Sequence, residues 1–232
     1  MKKEGYQIAY VKKTFLGKEY FLPEYAMHKP AVQHILNDQY YEPETHRLVG
    51  KIFENFAGSM IHAGTFYGDM IPSFSESVTG FVYAFEPVLE NYILARMCIQ
   101  KNRLENVFLF NSALSSVLGN IKMDTGGEDG VHHGGACKIS DKGFTCTSVR
   151  IDNYEYSDLK VIQLDLEGSE LEALKGAFST IERHRPVIMV EDNSNDCRAL
   201  LEAMDFFHVK NIPGLKIWAP IEAGNALKSI LS

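Results

Sequence analysis

From Met60 onward the chain repeats one pattern: a short apolar run, a polar or glycine turn, then an amphipathic stretch. Met60–Ala63 leads into Gly64, Phe81–Phe85 into Glu86 and Pro87, and Val107–Phe110 into Asn111. Val161–Leu164 and Val187–Val190 continue the series. Short apolar runs bounded by turn residues predict strands buried on both faces, as in a parallel sheet. Helical patterns lie between them. Pro43 opens one through Leu48, Ile52 and Phe56, with Gly58 as its stop. Pro87 suits the first turn of a second, whose apolar face is Leu89, Ile93 and Met97 and whose end falls at Gln100 to Asn102. In SELEALKGAFSTIERH the spacing predicts one helix burying Leu171, Leu174, Ala177 and Ile181, with Glu170, Glu172 and Lys175 toward solvent or the helix dipole.

Strands alternating with helices imply right-handed βαβ units and an α/β, Rossmann-like, doubly wound and mostly parallel sheet. Phe207–Ile212 and Leu215–Ala219, joined at Pro213-Gly214, add an antiparallel C-terminal hairpin. Residues 1–39 lack clear periodicity and are expected to form an N-terminal extension or lid on a main domain of residues 40–232. An insert at about 117–157 contains Gly126, Gly127, Gly130, Gly134 and Gly135 and then the alternating TCTSVRI from Thr145. It predicts a glycine-rich loop with added antiparallel strands.

Composition narrows the partners. With 232 residues, 45% hydrophobic and 23% charged, the chain can bury a core without disulfides or a structural metal. A formal charge of −7 disfavours a phosphate-backbone partner, so no nucleic acid is expected. No apolar stretch is long enough to span a bilayer, and MKKEGYQIAY has no apolar run behind its basic start. Cys98, Cys137, Cys146 and Cys197 lack CxxC spacing and read as reduced thiols. A cytoplasmic protein without membrane contact is therefore expected, and a homo-oligomer remains open.

Ligands in open α/β sheets bind at the carboxyl ends of the strands. There the sequence places Asp165 and Glu167 on one strand end, and Glu191, Asp192 and Asn193 on the next. Asp165, Asp192 and Asn193 offer oxygen donors suited to a hard cation such as Mg²⁺. Asp165 and Glu167 are candidate catalytic carboxylates, and His132 or His133, in the glycine-rich loop, is a candidate general base. Gly64 and Gly68 free the backbone after the first strand to approach a ligand. Their GxxxG spacing, with Phe66 and Tyr67 between, is a poor match to the three-glycine turn that binds NAD. Glu86, at the second strand end, could accept hydrogen bonds from ribose hydroxyls or simply complement the dipole of the next helix.

Taken together, IHAGTFYGDM, VYAFEP, NSAL and VIQLDLEGSELEALKGA followed by RPVIMVED resemble the FkbM-type family of S-adenosylmethionine-dependent methyltransferases, over roughly Ile61 to Asp192. The terminal hairpin likewise resembles the class I methyltransferase pattern. The resemblance implies S-adenosylmethionine held by Gly64, Thr65, Gly68, Asp69, Glu86, Pro87, Asn111, Ser112, Ala113 and Asp165. It further implies transfer of a methyl group to a hydroxyl of a small metabolite or sugar, with Mg²⁺ as an added requirement to be tested. The family usually has Asp where this chain has His62, and Asp69 is a candidate substitute. Two alternatives stay open: an NAD- or nucleotide-sugar-linked oxidoreductase on a related fold, and an inactive binding protein on the same fold.

Overall fold

The computed structural model describes residues 7–126, 133–224 and 230. The chain opens with a hairpin, β1 (Tyr10–Phe15) and β2 (Lys18–Pro23), followed by helix α1 (Pro30–Leu36). Helix α2 (Pro43–Asn55) leads into β3 (Ser59–Ala63), α3 (Ile71–Ser77), β4 (Val82–Phe85), α4 (Leu89–Asn102) and β5 (Val107–Phe110). Four strands then make a small separate sheet: β6 (Ala113–Leu114), β7 (Gly119–Asp124), β8 (Lys138–Ile139) and β9 (Phe144–Val149). The chain returns through β10 (Leu159–Leu164), α5 (Glu170–Lys175), α6 (Phe178–His184), β11 (Val187–Val190), α7 (Cys197–Ala203), β12 (Phe206–Ile212) and β13 (Leu215–Pro220).

The main sheet has the order β12-β13-β11-β10-β3-β4-β5. Its five central and edge strands from β11 to β5 are parallel, while β13 runs antiparallel to both β11 and β12. The expected hairpin therefore forms, with its last strand inserted against the parallel sheet. Strand parity sorts the core into two layers: Ile61, Ile162 and Ile188 share one cluster, and Met60, Val161 and Met189 the other. Each such fully buried aliphatic side chain stabilises the fold by about 1.5–3 kcal/mol.

Two helices differ from the pattern read in the sequence. Helix α4 starts at Leu89, leaving Pro87 outside it, and buries Asn91, Leu94, Ala95 and Cys98 while Leu89 is exposed. The cause is a second packing partner. Leu94 and Cys98 join Tyr20 and Leu22 of the N-terminal hairpin, whereas Ala95 packs with Ala84 of the sheet. The stretch after Asp165 is two helices, not one, broken at Gly176, where a Cβ would lie 2.1 Å from the Ser115 carbonyl oxygen. Glu170 is buried rather than solvated, its carboxylate accepting from the amides of Leu166 (2.8 Å) and Gly168 (3.2 Å).

The N-terminal segment is ordered by the same hydrophobic cluster, in which Phe15, Phe21, Val32 and Ile35 meet Phe66 and Tyr67 of the turn after β3. Residues 7–39 thus rest on that turn. Gly134 and Gly135 of the insert reach the same place: a Cβ on the first would meet Ala26 and Lys29, and one on the second would meet Phe66. The expected antiparallel strands of the insert are present as β7, β8 and β9. Gly127 and Gly130 lie outside the described residues.

Gly64 is fixed by its neighbour strand. Its φ is +84°, and a Cβ there would sit 1.8 Å from the Asp165 carbonyl oxygen. Gly64→Ala is expected to lose about 3 kcal/mol or more of stability, combining left-handed strain with displacement of the β10 backbone. Gly17→Ala, where φ is +75° but nothing lies within 4 Å, isolates the strain and should lose only about 1 kcal/mol. Urea denaturation of the two variants checks the difference.

Candidate active site

Because β3, β4, β5, β10 and β11 run in parallel, their carboxyl ends open onto one edge of the sheet. Two adjoining cavities lie there, sharing Gly64, Gly135, Asp165 and Glu167. The first is walled by Glu86, Pro87, Val88, Ser112, Ala113 and Leu114. The second is walled by Lys29, Tyr41, His62, Asp69 and Gln163.

Glu86 is 4% exposed and organises the first cavity. One carboxylate oxygen accepts from the Phe66 amide (2.8 Å), the other from the Val88 amide (2.9 Å) and the Asn91 side chain (3.3 Å). Phe66 adopts a left-handed φ of +51° at this contact. Burial lifts the Glu86 pKa to about 7, opposed by these three donors. Asn91 also donates to the Gly134 carbonyl (3.2 Å) and accepts from the Tyr25 hydroxyl (2.6 Å), linking insert and N-terminal segment. Its role had no signal in the sequence beyond a polar residue in a helix.

In the second cavity, His62 and Gln163 face each other across β3 and β10, with Nδ1 of His62 bonded to Oε1 of Gln163. Burial pushes His62 down to about 4, so the imidazole is neutral. Asp69 is buried there with its own amide as partner, and burial raises its pKa to about 7. Asp165, Glu167 and Glu191 each bring a carboxylate oxygen to within 4.8 Å of the others. Burial raises Asp165 well above the carboxylate range, and the charges of Glu191, Glu42 and Glu167 add to the effect. Glu167 is raised by burial and then by Glu191. It is held at a left-handed φ of +55° before Gly168 at +99°, a conformation uncommon for a side chain with a β-carbon.

Several sequence-predicted contacts are placed elsewhere. The Thr65 hydroxyl bonds the His62 carbonyl (3.3 Å), and Thr65 is outside both cavity walls. Gly68 packs on Ala95, 3.1 Å from where its Cβ would be. Asn111 is exposed and clips the β4 turn through the Glu86 (2.9 Å) and Pro87 (3.1 Å) carbonyls, so it positions Glu86 instead of lining the cavity. His133 lines an outer groove with Glu167 and Lys138, apart from Asp165, and His132 lies outside the described residues.

The cation set drawn from Asp165, Asp192 and Asn193 does not assemble. Asp192 is paired with Lys216 (3.4 Å), and Asn193 donates to Glu191 Oε1 (3.3 Å). Strand parity explains the change: Gln163 pairs with Met189, which puts Glu191, not Asp192, on the side of Asp165.

The Asp69 shift has a stability consequence. A carboxyl whose folded pKa is raised binds more protons folded than unfolded, so its favourable contribution is lost as pH climbs from about 4 toward about 7. Asp69→Asn should therefore be more stable than wild type at pH 8, by on the order of 2 kcal/mol, with the gain at least halved at pH 5. Urea midpoints at the two pH values check this, and an offset independent of pH would contradict it.

Comparison with known proteins matches residues 65–210 to the Methyltransferase FkbM domain. No curated protein sequence matches the chain. Among solved structures, Methyltransferase FkbM from Methylobacillus flagellatus KT superposes with a TM-score of 0.52 at 16% identity, over 84% of this chain and 55% of that one. The chain thus spans little more than half the length of that protein. The ribosomal protein L11 methylase from Lactobacillus delbrueckii subsp. bulgaricus gives 0.47 at 12% identity, over 78% and 81% of the two chains. The O-methyltransferase from Bacillus cereus, solved in complex with SAH, gives 0.45 at 13%, over 78% and 80%. Among the described residues no helix is long and apolar enough to cross a membrane. The match at 65–210 covers more than half of the sequence, and the strand order with its inserted antiparallel strand agrees with it: the chain belongs to the FkbM methyltransferase family and has the class I methyltransferase fold.

Proposed function

We propose that the chain uses S-adenosylmethionine to methylate a hydroxyl group of a small metabolite or sugar. The observation that carries this reading is Glu86: a buried carboxylate at the end of β4, lining a cavity that opens into a second, polar one. Three donors occupy three of the roughly four acceptor sites of a carboxylate, leaving capacity for a ribose hydroxyl. Val88, Ala113 and Leu114 offer an apolar wall for an adenine, with Ser112 beside them. The donor set thus fits an adenosyl group.

Bound there, S-adenosylmethionine supplies an electrophilic methyl group on a sulfonium. The chain's part is to orient that group and the acceptor and to manage one proton. A neutral His62 brings no negative charge to the α-ammonium, and Asp69, in the same cavity, supplies the carboxylate instead. Asp165 and Glu167, at the junction of the cavities, orient the acceptor hydroxyl, and Glu167 offers a sink for its proton. Lys29, Pro30 and Ala31 bring the N-terminal segment to the acceptor side, where it serves as a selective wall. The inserted strand β13 and the Gly64–Gly68 turn favour this reading over an NAD-linked oxidoreductase.

Thermal shift is the direct test. S-adenosylmethionine and S-adenosylhomocysteine should raise the melting temperature while NAD does not, and the absence of any shift with the first two would overturn the reading. Glu86→Ala removes a charge-assisted hydrogen bond and should weaken S-adenosylhomocysteine binding by about 10- to 100-fold, read by calorimetry. Because Glu86 must ionise near pH 7, wild-type affinity should also fall as pH drops from 8 to 6.

A further inference from the structure

We propose that Asp165, Glu167 and Glu191 form a binding site for one divalent metal ion of the Mg²⁺ or Mn²⁺ type. This deepens the methyltransferase reading and rests on it only for the identity of what the ion meets next, the acceptor oxygens. The three carboxylates come from two neighbouring strand ends and the turn that follows one of them. Their nearest oxygens all lie within 4.8 Å of one another. An octahedral ion about 2.1 Å from its ligands separates adjacent oxygens by about 3 Å and opposite ones by about 4.2 Å, so modest side-chain rotation closes the cluster on an ion.

A second observation points to a ligand in the same place. Asp69 is 6% exposed and lines the cavity next to Asp165 and Glu167. His62, 2% exposed and lining the same cavity, leaves Nε2 with no hydrogen-bond partner. A buried acceptor with nothing to accept from, here Nε2 of His62, is rare and marks a site that receives a cation or a donor from a ligand.

The donor set favours a divalent ion over an ammonium group. Among the described residues no lysine or arginine lies within 4 Å of the carboxylates of Asp165, Glu167 or Glu191. Lys216 is committed to Asp192 and to Asn195 (2.6 Å). Three carboxyl oxygens converging from two strand ends are the donor type a hard dication takes, whereas an ammonium is served by neutral acceptors as well. Three protein oxygens leave further positions of an octahedral sphere for acceptor oxygens and water.

The test uses the full chain without S-adenosylmethionine, titrated with Mn²⁺ and followed by the electron paramagnetic resonance signal of the free ion. Wild type should take up one Mn²⁺ per chain, displaceable by Mg²⁺. Glu191→Gln and Asp165→Asn should each weaken uptake at least tenfold, while Asp192→Asn stays within about threefold of wild type. Glu191→Gln should still bind S-adenosylhomocysteine within about threefold of wild type, which also shows that it folds. No saturable uptake by wild type at millimolar Mn²⁺ would overturn the proposal, as would undiminished uptake by both cluster variants. Mn²⁺ uptake as described in a chain that fails to bind S-adenosylhomocysteine would support the metal site and defeat the cofactor reading separately.

Discussion

A buried carboxylate must be surrounded by donors or it will not stay charged, and Glu86 imposes that requirement on most of the active-site edge. Its three donors come from the turn after β3, from its own loop and from α4. Meeting the first holds Phe66 in a left-handed conformation. Meeting the last buries Asn91, which in turn ties Tyr25 of the N-terminal segment and Gly134 of the insert to the same point. Segments far apart in sequence are thus brought together by one anion. The balance is close: burial raises the pKa, the donors lower it, and the outcome near 7 leaves Glu86 sensitive to a further donor.

The second cavity is compensated less. Asp165, Glu167, Glu191 and Asp69 are gathered there with no ion pair among the described residues, only the more distant fields of Lys138 and Lys29 on Glu167, and Glu167 is held in an uncommon backbone conformation besides. Burying like charges together weakens the fold. A structure that keeps this arrangement beside its most strongly organised carboxylate is therefore carrying a local cost that ligand binding can relieve. Tyr41 shares the region, its hydroxyl held neutral by burial and by the fields of Glu42, Asp165 and Asp69. The two cavities differ in kind: one is a nearly satisfied anion with an apolar wall, the other a set of acids crowded enough to raise one another's pKa.

How legible this was depended on whether neighbours along the chain were enough to decide it. VIMV announced β11 to the residue because strands buried in a parallel sheet are continuous apolar runs, and VFLF announced the bounds of β5, although that edge strand is only partly covered and not buried on both faces as expected. Glu86 and Asp165 were likewise placed by the rule that ligand groups follow strand ends. The buried face of α4 was hidden because it is set by β2, whose pairing with β1 showed no periodicity in the sequence. Gly176 looked like an ordinary helical glycine, and only the Ser115 carbonyl against it explains the break. Choosing Asp192 over Glu191 was an error of one residue in strand parity, the smallest slip that reverses which face a side chain occupies.

His62 shows how a local departure reshapes the reading of its neighbours. Where a carboxylate at this position would add negative charge to the centre of the sheet edge, the imidazole bonds Gln163 and stays neutral, buried against the Phe74 ring at 5.1 Å. The acids nearest to it are instead Asp69, after the turn that follows β3, and Asp165 across the strand end, both with pKa values raised by burial. The pull on a cationic group is thereby moved outward from β3 toward the junction of the two cavities. A sulfonium held at that junction would lie nearer Asp165 and Glu167 than one drawn in by a carboxylate on β3.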